Sequence, residues 1–115
     1  MVNKKIITLL KKYISLLKTE GISVERAYLY GSYSTGLATD NSDIDIMIVT
    51  NNEDAEDNFI IGKIWNLTRK INTKIEPFLV GNDRFHESNN SALIDIISRS
   101  LKIQNYFGFS FFNYY

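Results

Sequence analysis

Gly31-Ser32-Tyr33-Ser34-Thr35-Gly36-Leu37-Ala38-Thr39-Asp40-Asn41-Ser42-Asp43-Ile44-Asp45 is the stretch on which the reading of this chain turns. A glycine and a serine leave the end of a short aromatic run. Glycine lets a bulky anion approach the backbone, and the amide hydrogens of such a turn can bind phosphate oxygens. The Ser32 hydroxyl can add a further hydrogen bond. From Asp43 onward the pattern alternates: Ile44, Ile46 and Ile48 point one way, and Asp43, Asp45, Met47 and Val49 the other. Asp43 and Asp45 thus share a strand face, with Cα atoms about 6.5 Å apart. Two carboxylates so placed repel each other unless a cation lies between them, and hard oxygen ligands favour Mg²⁺. The residues between are long enough for a helical turn that folds the Gly-Ser loop back over the second strand. A lone Gly-Ser turn is common, and Asp-x-Asp can be the solvated face of an edge strand. Their combination at this spacing carries the weight. Aspartate is disfavoured in strands, and two within the most β-prone run break a local rule, as functional sites do.

Outward from this stretch, the chain reads as alternating helices and strands. Lys4 to Thr19 has Ile6, Leu10, Tyr13, Ile14 and Leu17 on one face of an amphipathic helix, with Gly21 beyond it as a C-cap glycine. Arg26 to Tyr30 reads as a strand. Asn51 to Asp57 suits a loop and the first turn of a helix, where the dipole favours negative charge. A second helix is predicted from Phe59 to Ile71, a third strand from Lys74 to Val80, a loop from Gly81 to Asn90, and a last helix from Ser91 to Ile103. The expected fold class is α+β: a small mixed β-sheet packed on helices. The domain spans 1–105. Residues 106–115 form an aromatic C-terminal tail holding seven of the chain's 15 aromatic residues, readable as an added edge strand or as a sticky surface for a partner.

With 115 residues, 44% hydrophobic and 23% charged, the composition is that of one globular domain. Thirteen basic residues balance thirteen acidic ones, so no general nucleic-acid or anionic-membrane binding is expected, and phosphate binding must be local. The absence of cysteine excludes disulfides, thiolate metal sites and cysteine nucleophiles. Lys11 and Lys12 interrupt the apolar run after Lys5, which argues against an export signal, and no run reaches the roughly 20 apolar residues of a membrane span. A soluble cytoplasmic protein is expected.

Gly-Ser, ten residues, then Asp-x-Asp resembles the signature of the DNA polymerase β-like nucleotidyltransferase superfamily. Within it, Gly31 to Gly36 and Ser42-Asp43-Ile44-Asp45-Ile46 are similar to the minimal nucleotidyltransferases (MNT type), over roughly residues 26–80. The resemblance implies a mixed sheet on helices, two Mg²⁺ ions and ATP or another nucleoside triphosphate as substrate. It implies that Asp43 and Asp45 hold metal and that Gly31 and Ser32 hold the leaving phosphates. It also implies a third acid on a neighbouring strand, for which Glu76 is the candidate, as a metal ligand or as the acceptor of the hydroxyl proton. Glu76 stands where the family more often has Asp, and Thr35 where many relatives carry Arg. The implied reaction is transfer of a nucleoside monophosphate, AMP from ATP, to a hydroxyl. Stand-alone members of this size resemble antitoxins that adenylylate a tyrosine of a HEPN-type toxin. Two other readings stay open: a non-catalytic module binding nucleotide or partner, and a small-molecule nucleotidyltransferase completed by a homodimer.

Other polar residues carry less. His86 stands alone without a second His or Cys at metal-ligand spacing, which makes it a surface residue. Asp40, Asp83 and Glu87 read as turn or helix-entry charges, Lys63, Arg69 and Lys70 as a solvated helix face, and Trp65 as a core residue.

Overall fold

The computed structural model describes residues 4–86 and 91–103, with the side chains of 91 and 92 left aside. The tail at 106–115 lies outside the described residues. The elements run α1 (Lys4–Thr19), β1 (Arg26–Tyr30), α2 (Ser32–Thr35), β2 (Ile44–Thr50), α3 (Asn52–Glu56), α4 (Asn58–Leu67), a 3₁₀ turn (Thr68–Lys70), β3 (Ile75–Gly81), α5 (Asn82–His86), α6 (Ser91–Ser98) and β4 (Leu101–Lys102). The four strands make one mixed sheet in the order β3-β2-β1-β4. β1 is antiparallel to both β2 and β4, and β2 is parallel to β3. The fold is α+β, as expected.

The alternation in β2 sorts its side chains between two cores. Ile44, Ile46 and Ile48 enter the larger one with Leu10, Tyr13, Ile14 and Leu17 of α1 and Ile64 and Leu67 of α4. Met47 and Val49 enter a smaller one with Tyr28, Val80 and Leu93, against which Phe85 of α5 and Ile96 and Ile97 of α6 pack. The buried Tyr13 hydroxyl donates to the Ile64 carbonyl at 2.7 Å, tying α1 to α4.

Three boundaries and one burial differ from expectation, each for a local reason. The acidic segment after β2 is a separate helix, because Asn51 and Asp57 each cap a helix. The Asn51 side chain accepts from the Asp54 amide, and that of Asp57 accepts from the Phe59 and Ile60 amides. Residues 82–86, expected as loop, form α5, held by the Asp83 amide donating to Asn52 Oδ1 at 2.9 Å and by Phe85 stacked on Tyr28. The last helix ends at Ser98 rather than running to Ile103. Leu101 and Lys102 pair with β1 instead, and the Ile103 amide donates to the Ala27 carbonyl at 2.8 Å. Trp65, expected in the core, is 44% exposed. It lies about 100° round the helix from Ile64, on the side away from the sheet.

Candidate active site

The site forms where β1 ends and β2 and β3 begin. Register brings its residues together: Tyr30 of β1 pairs with Asp45 of β2, and Asp45 with Glu76 of β3. Paired residues on adjacent strands lie about 4.8 Å apart and point to the same face. Asp43, two residues before Asp45, extends that face beyond the strand end. The structure therefore brings Asp43, Asp45 and Glu76 together at one edge of the sheet, with Gly31 and Ser32 directly after Tyr30.

Gly31 is fixed there by two independent constraints. Its φ of 74° and ψ of −152° lie in a region open only to glycine. A Cβ on Gly31 would also collide with the Asp45 carboxylate, lying 3.2 Å from its Cγ. Backbone and carboxylate thus touch with nothing between them. The turn that follows is held by its own side chains. Ser34 Oγ donates to the Gly31 carbonyl at 2.9 Å, and Thr35 Oγ1 is within 3.3 Å of the Gly31 and Ser32 carbonyls. Thr35 is a neutral brace for the loop, where an arginine would project charge. Gly36 closes α2 in the left-handed conformation. The loop returns through a Thr39–Ser42 turn, with the Thr39 amide donating to Ser42 Oγ at 2.8 Å. Lys74 Nζ donates to the Asp40 carbonyl and so anchors the loop to the start of β3.

The electrostatics are those of crowded like charges. The Asp45 carboxyl is held above its ordinary range by burial and then by the Asp43 charge. Glu76, although exposed, is also raised, first by a hydrogen bond shared with Asp43, then by burial and by the charges of Asp43 and Asp45. Two carboxyls share a hydrogen bond only when one keeps its proton. A proton between them and a divalent cation held by both are alternative answers to the same repulsion. The donor set is all oxygen, which suits a hard cation, although among the described residues no three acidic or histidine side chains already close into a metal cage. Tyr30 went unremarked in the sequence beyond its place in a strand. Its hydroxyl is pushed above its usual value by burial and then by Asp45 and Glu76. The alternation Arg26, Tyr28, Tyr30 was the available signal that it shares the carboxylate face. His86 is exposed and stacks edge-on against Phe85.

No curated protein is significantly similar to the chain in sequence. Among solved structures, a provisionally assigned nucleotidyltransferase from Sulfolobus solfataricus shares the fold, with 18% identity over 85% of this chain and 78% of that one and a TM-score of 0.58. A toxin–antitoxin structure with AMP-PNP aligns with a TM-score of 0.60 and 21% identity, over 81% of this chain and 70% of its counterpart. At such identities the likeness is one of fold. The model of the nucleotidyltransferase domain family matches residues 10–108. By that match over most of its length, the chain belongs to the nucleotidyltransferase domain family.

Proposed function

We propose that the protein is a metal-dependent adenylyltransferase of the minimal type, moving AMP from ATP to a tyrosine hydroxyl on a HEPN-type toxin and acting as its antitoxin. The observation that carries the reading is the meeting of three carboxylates, Asp43, Asp45 and Glu76, with a glycine whose missing Cβ opens the backbone beside Asp45. The fold shared with a toxin–antitoxin structure holding AMP-PNP supports an adenine nucleotide and a protein partner.

In this reading Asp43, Asp45 and Glu76 hold Mg²⁺. When bound, Mg²⁺ neutralises phosphate charge and favours the ionised acceptor hydroxyl. Gly31 and Ser32 hold the leaving phosphates, through the open backbone and the Ser32 hydroxyl. The acceptor oxygen attacks the α-phosphorus in line. A new P–O bond forms, the bond to the bridging oxygen of the β-phosphate breaks, and pyrophosphate departs. The acceptor proton passes to water or to a free oxygen of Glu76. Because carboxylates must be ionised to hold metal, activity falls on the acid side of neutrality.

The test uses α-labelled ATP and Mg²⁺ with an extract of the source cell, comparing the wild type with Asp45→Asn. The expected result is label on one protein band with the wild type and at least a hundredfold less with the variant, the order of loss on removing one group from a preorganised site. Pyrophosphate release without labelled protein would point to a small-molecule acceptor. No transfer and no pyrophosphate would overturn the catalytic reading in favour of a binding module.

A further inference from the structure

Among the described residues, α4 turns one face to the larger core and nothing packs on the other. Ile64 and Leu67 are buried, whereas Phe59 is 75% exposed and Trp65 44% exposed. Asn58, Gly62 and Asn66 are exposed beside them. At 100° per residue, Gly62 lies at the centre of this stripe, with Phe59 one turn before it on one flank and Trp65 one turn after it on the other. A Cβ on Gly62 would meet nothing within 4 Å, so no packing among the described residues requires a glycine. A shallow groove of about 530 Å³ runs along the stripe, lined by Phe59, Gly62, Lys63, Asn66, Leu67 and Lys70. Charge is divided along the same axis. Glu56 and Asp57 stand exposed at the N-terminal end and Arg69 and Lys70 at the C-terminal end. None of these four is in a salt bridge among the described residues.

We infer that this face binds a second copy of the chain, with the two α4 helices antiparallel about a two-fold axis at Gly62. The arrangement follows from symmetry. A two-fold axis at residue 62 sets each residue level with the one equally far beyond it. Phe59 is therefore level with Trp65 of the second copy but on the other flank, and it packs beside Asn66 there, as Trp65 does beside Asn58, each contact made twice. The crossing point is Gly62 on Gly62, where the absent side chains let the backbones approach. The acidic end of each helix meets the basic end of the other, so the pair is complementary in charge and closed at two subunits. The inference does not rest on the transfer reaction, since the carboxylate site belongs to the opposite face of the sheet from α4.

Sedimentation velocity over a range of protein concentrations tests it. The wild type is expected to pass from monomer to dimer as concentration rises. Gly62→Arg is expected to be monomeric throughout and, at concentrations where the wild type is also monomeric, to melt no lower, because arginine is the better helix former. Glu56→Lys and Lys70→Glu are each expected to weaken dimerisation at least tenfold. Mixing these two single variants should restore it, because each then meets its opposite charge on both sides of the axis. A wild type that stays monomeric would overturn the inference and leave this face to a different partner. So would dimers that survive Gly62→Arg, or charge variants that fail to rescue each other.

Discussion

Gly31 does at one residue what no other amino acid could. Its positive φ is joined to a ψ of −152°, outside the left-handed region that asparagine tolerates, and the Asp45 carboxylate occupies the space a side chain would need. Gly31→Ala is therefore expected to cost about 1–3 kcal/mol from the backbone alone, with added loss because the Asp45 carboxylate must swing aside for the methyl group. Gly36 offers the control. It is left-handed at φ 81° but faces open space, so Gly36→Asn should cost about 1 kcal/mol or less. Thermal melts of the two variants give the comparison, and equal losses would show that the contact with Asp45 is unimportant. The pair Gly31-Ser32 and the pair Asp43, Asp45 were legible because each is a local pattern. Tyr30 was not, because its place beside the carboxylates is set by pairing with β2.

At the scale of elements, α1 and β1 begin and end where periodicity set them, since an uninterrupted apolar stripe and a short aromatic run each have one natural length. The joins were harder. Asn51 and Asp57 each supply an N-cap, and two caps six residues apart make two helices. At the other end of the chain, Leu93, Ile97 and Leu101 keep a four-residue spacing, yet Leu101 leaves the helix to pair with Leu29. An open edge of β1 offers backbone hydrogen bonds that outcompete one more helical turn. A buried hydroxyl adds one hydrogen bond to the apolar packing of α1 against α4. Tyr13→Phe, which removes the 2.7 Å bond to the Ile64 carbonyl and nothing else, should cost about 1–1.5 kcal/mol in denaturant unfolding, with an unchanged m-value. A neutral result would mean that packing alone holds the two helices.

For the whole molecule, the site is a burden on stability. Asp45 and Glu76 are held above their ordinary range, so the folded chain keeps protons that the unfolded chain has given up. Their contribution is complete below the unfolded values and is lost as pH rises through the raised folded ones. Above those raised values both carry unfavourable charge in the cation-free fold. Mg²⁺ is expected to relieve it, raising the melting temperature at about pH 7 by the equivalent of about 2.7 kcal/mol at a hundredfold excess over Kd, and much less near pH 4, where protons compete. Asp45→Asn should melt higher than the wild type at neutral pH without Mg²⁺ and should lose most of the Mg²⁺ effect. A variant as responsive to Mg²⁺ as the wild type would remove Asp45 from the metal site.

From the order of amino acids alone came α1, the first three strands, the fold class and the loop-and-carboxylate pattern, because each is a local pattern along the chain. It also set out Glu76 as the third acid, though only through likeness to a family. The fold settled what is non-local. The parallel register set Glu76 opposite Asp45, the antiparallel one brought Tyr30 to the same face, and the close approach of Gly31 to Asp45 gave that glycine its second reason. The packing of α1 on one side of α4 likewise left Phe59, Gly62 and Trp65 facing outward. Strand pairing and helix packing join residues far apart in the chain. A side chain's partner across a sheet, or the lack of one on a helix face, is therefore written in the fold rather than in the local order of amino acids.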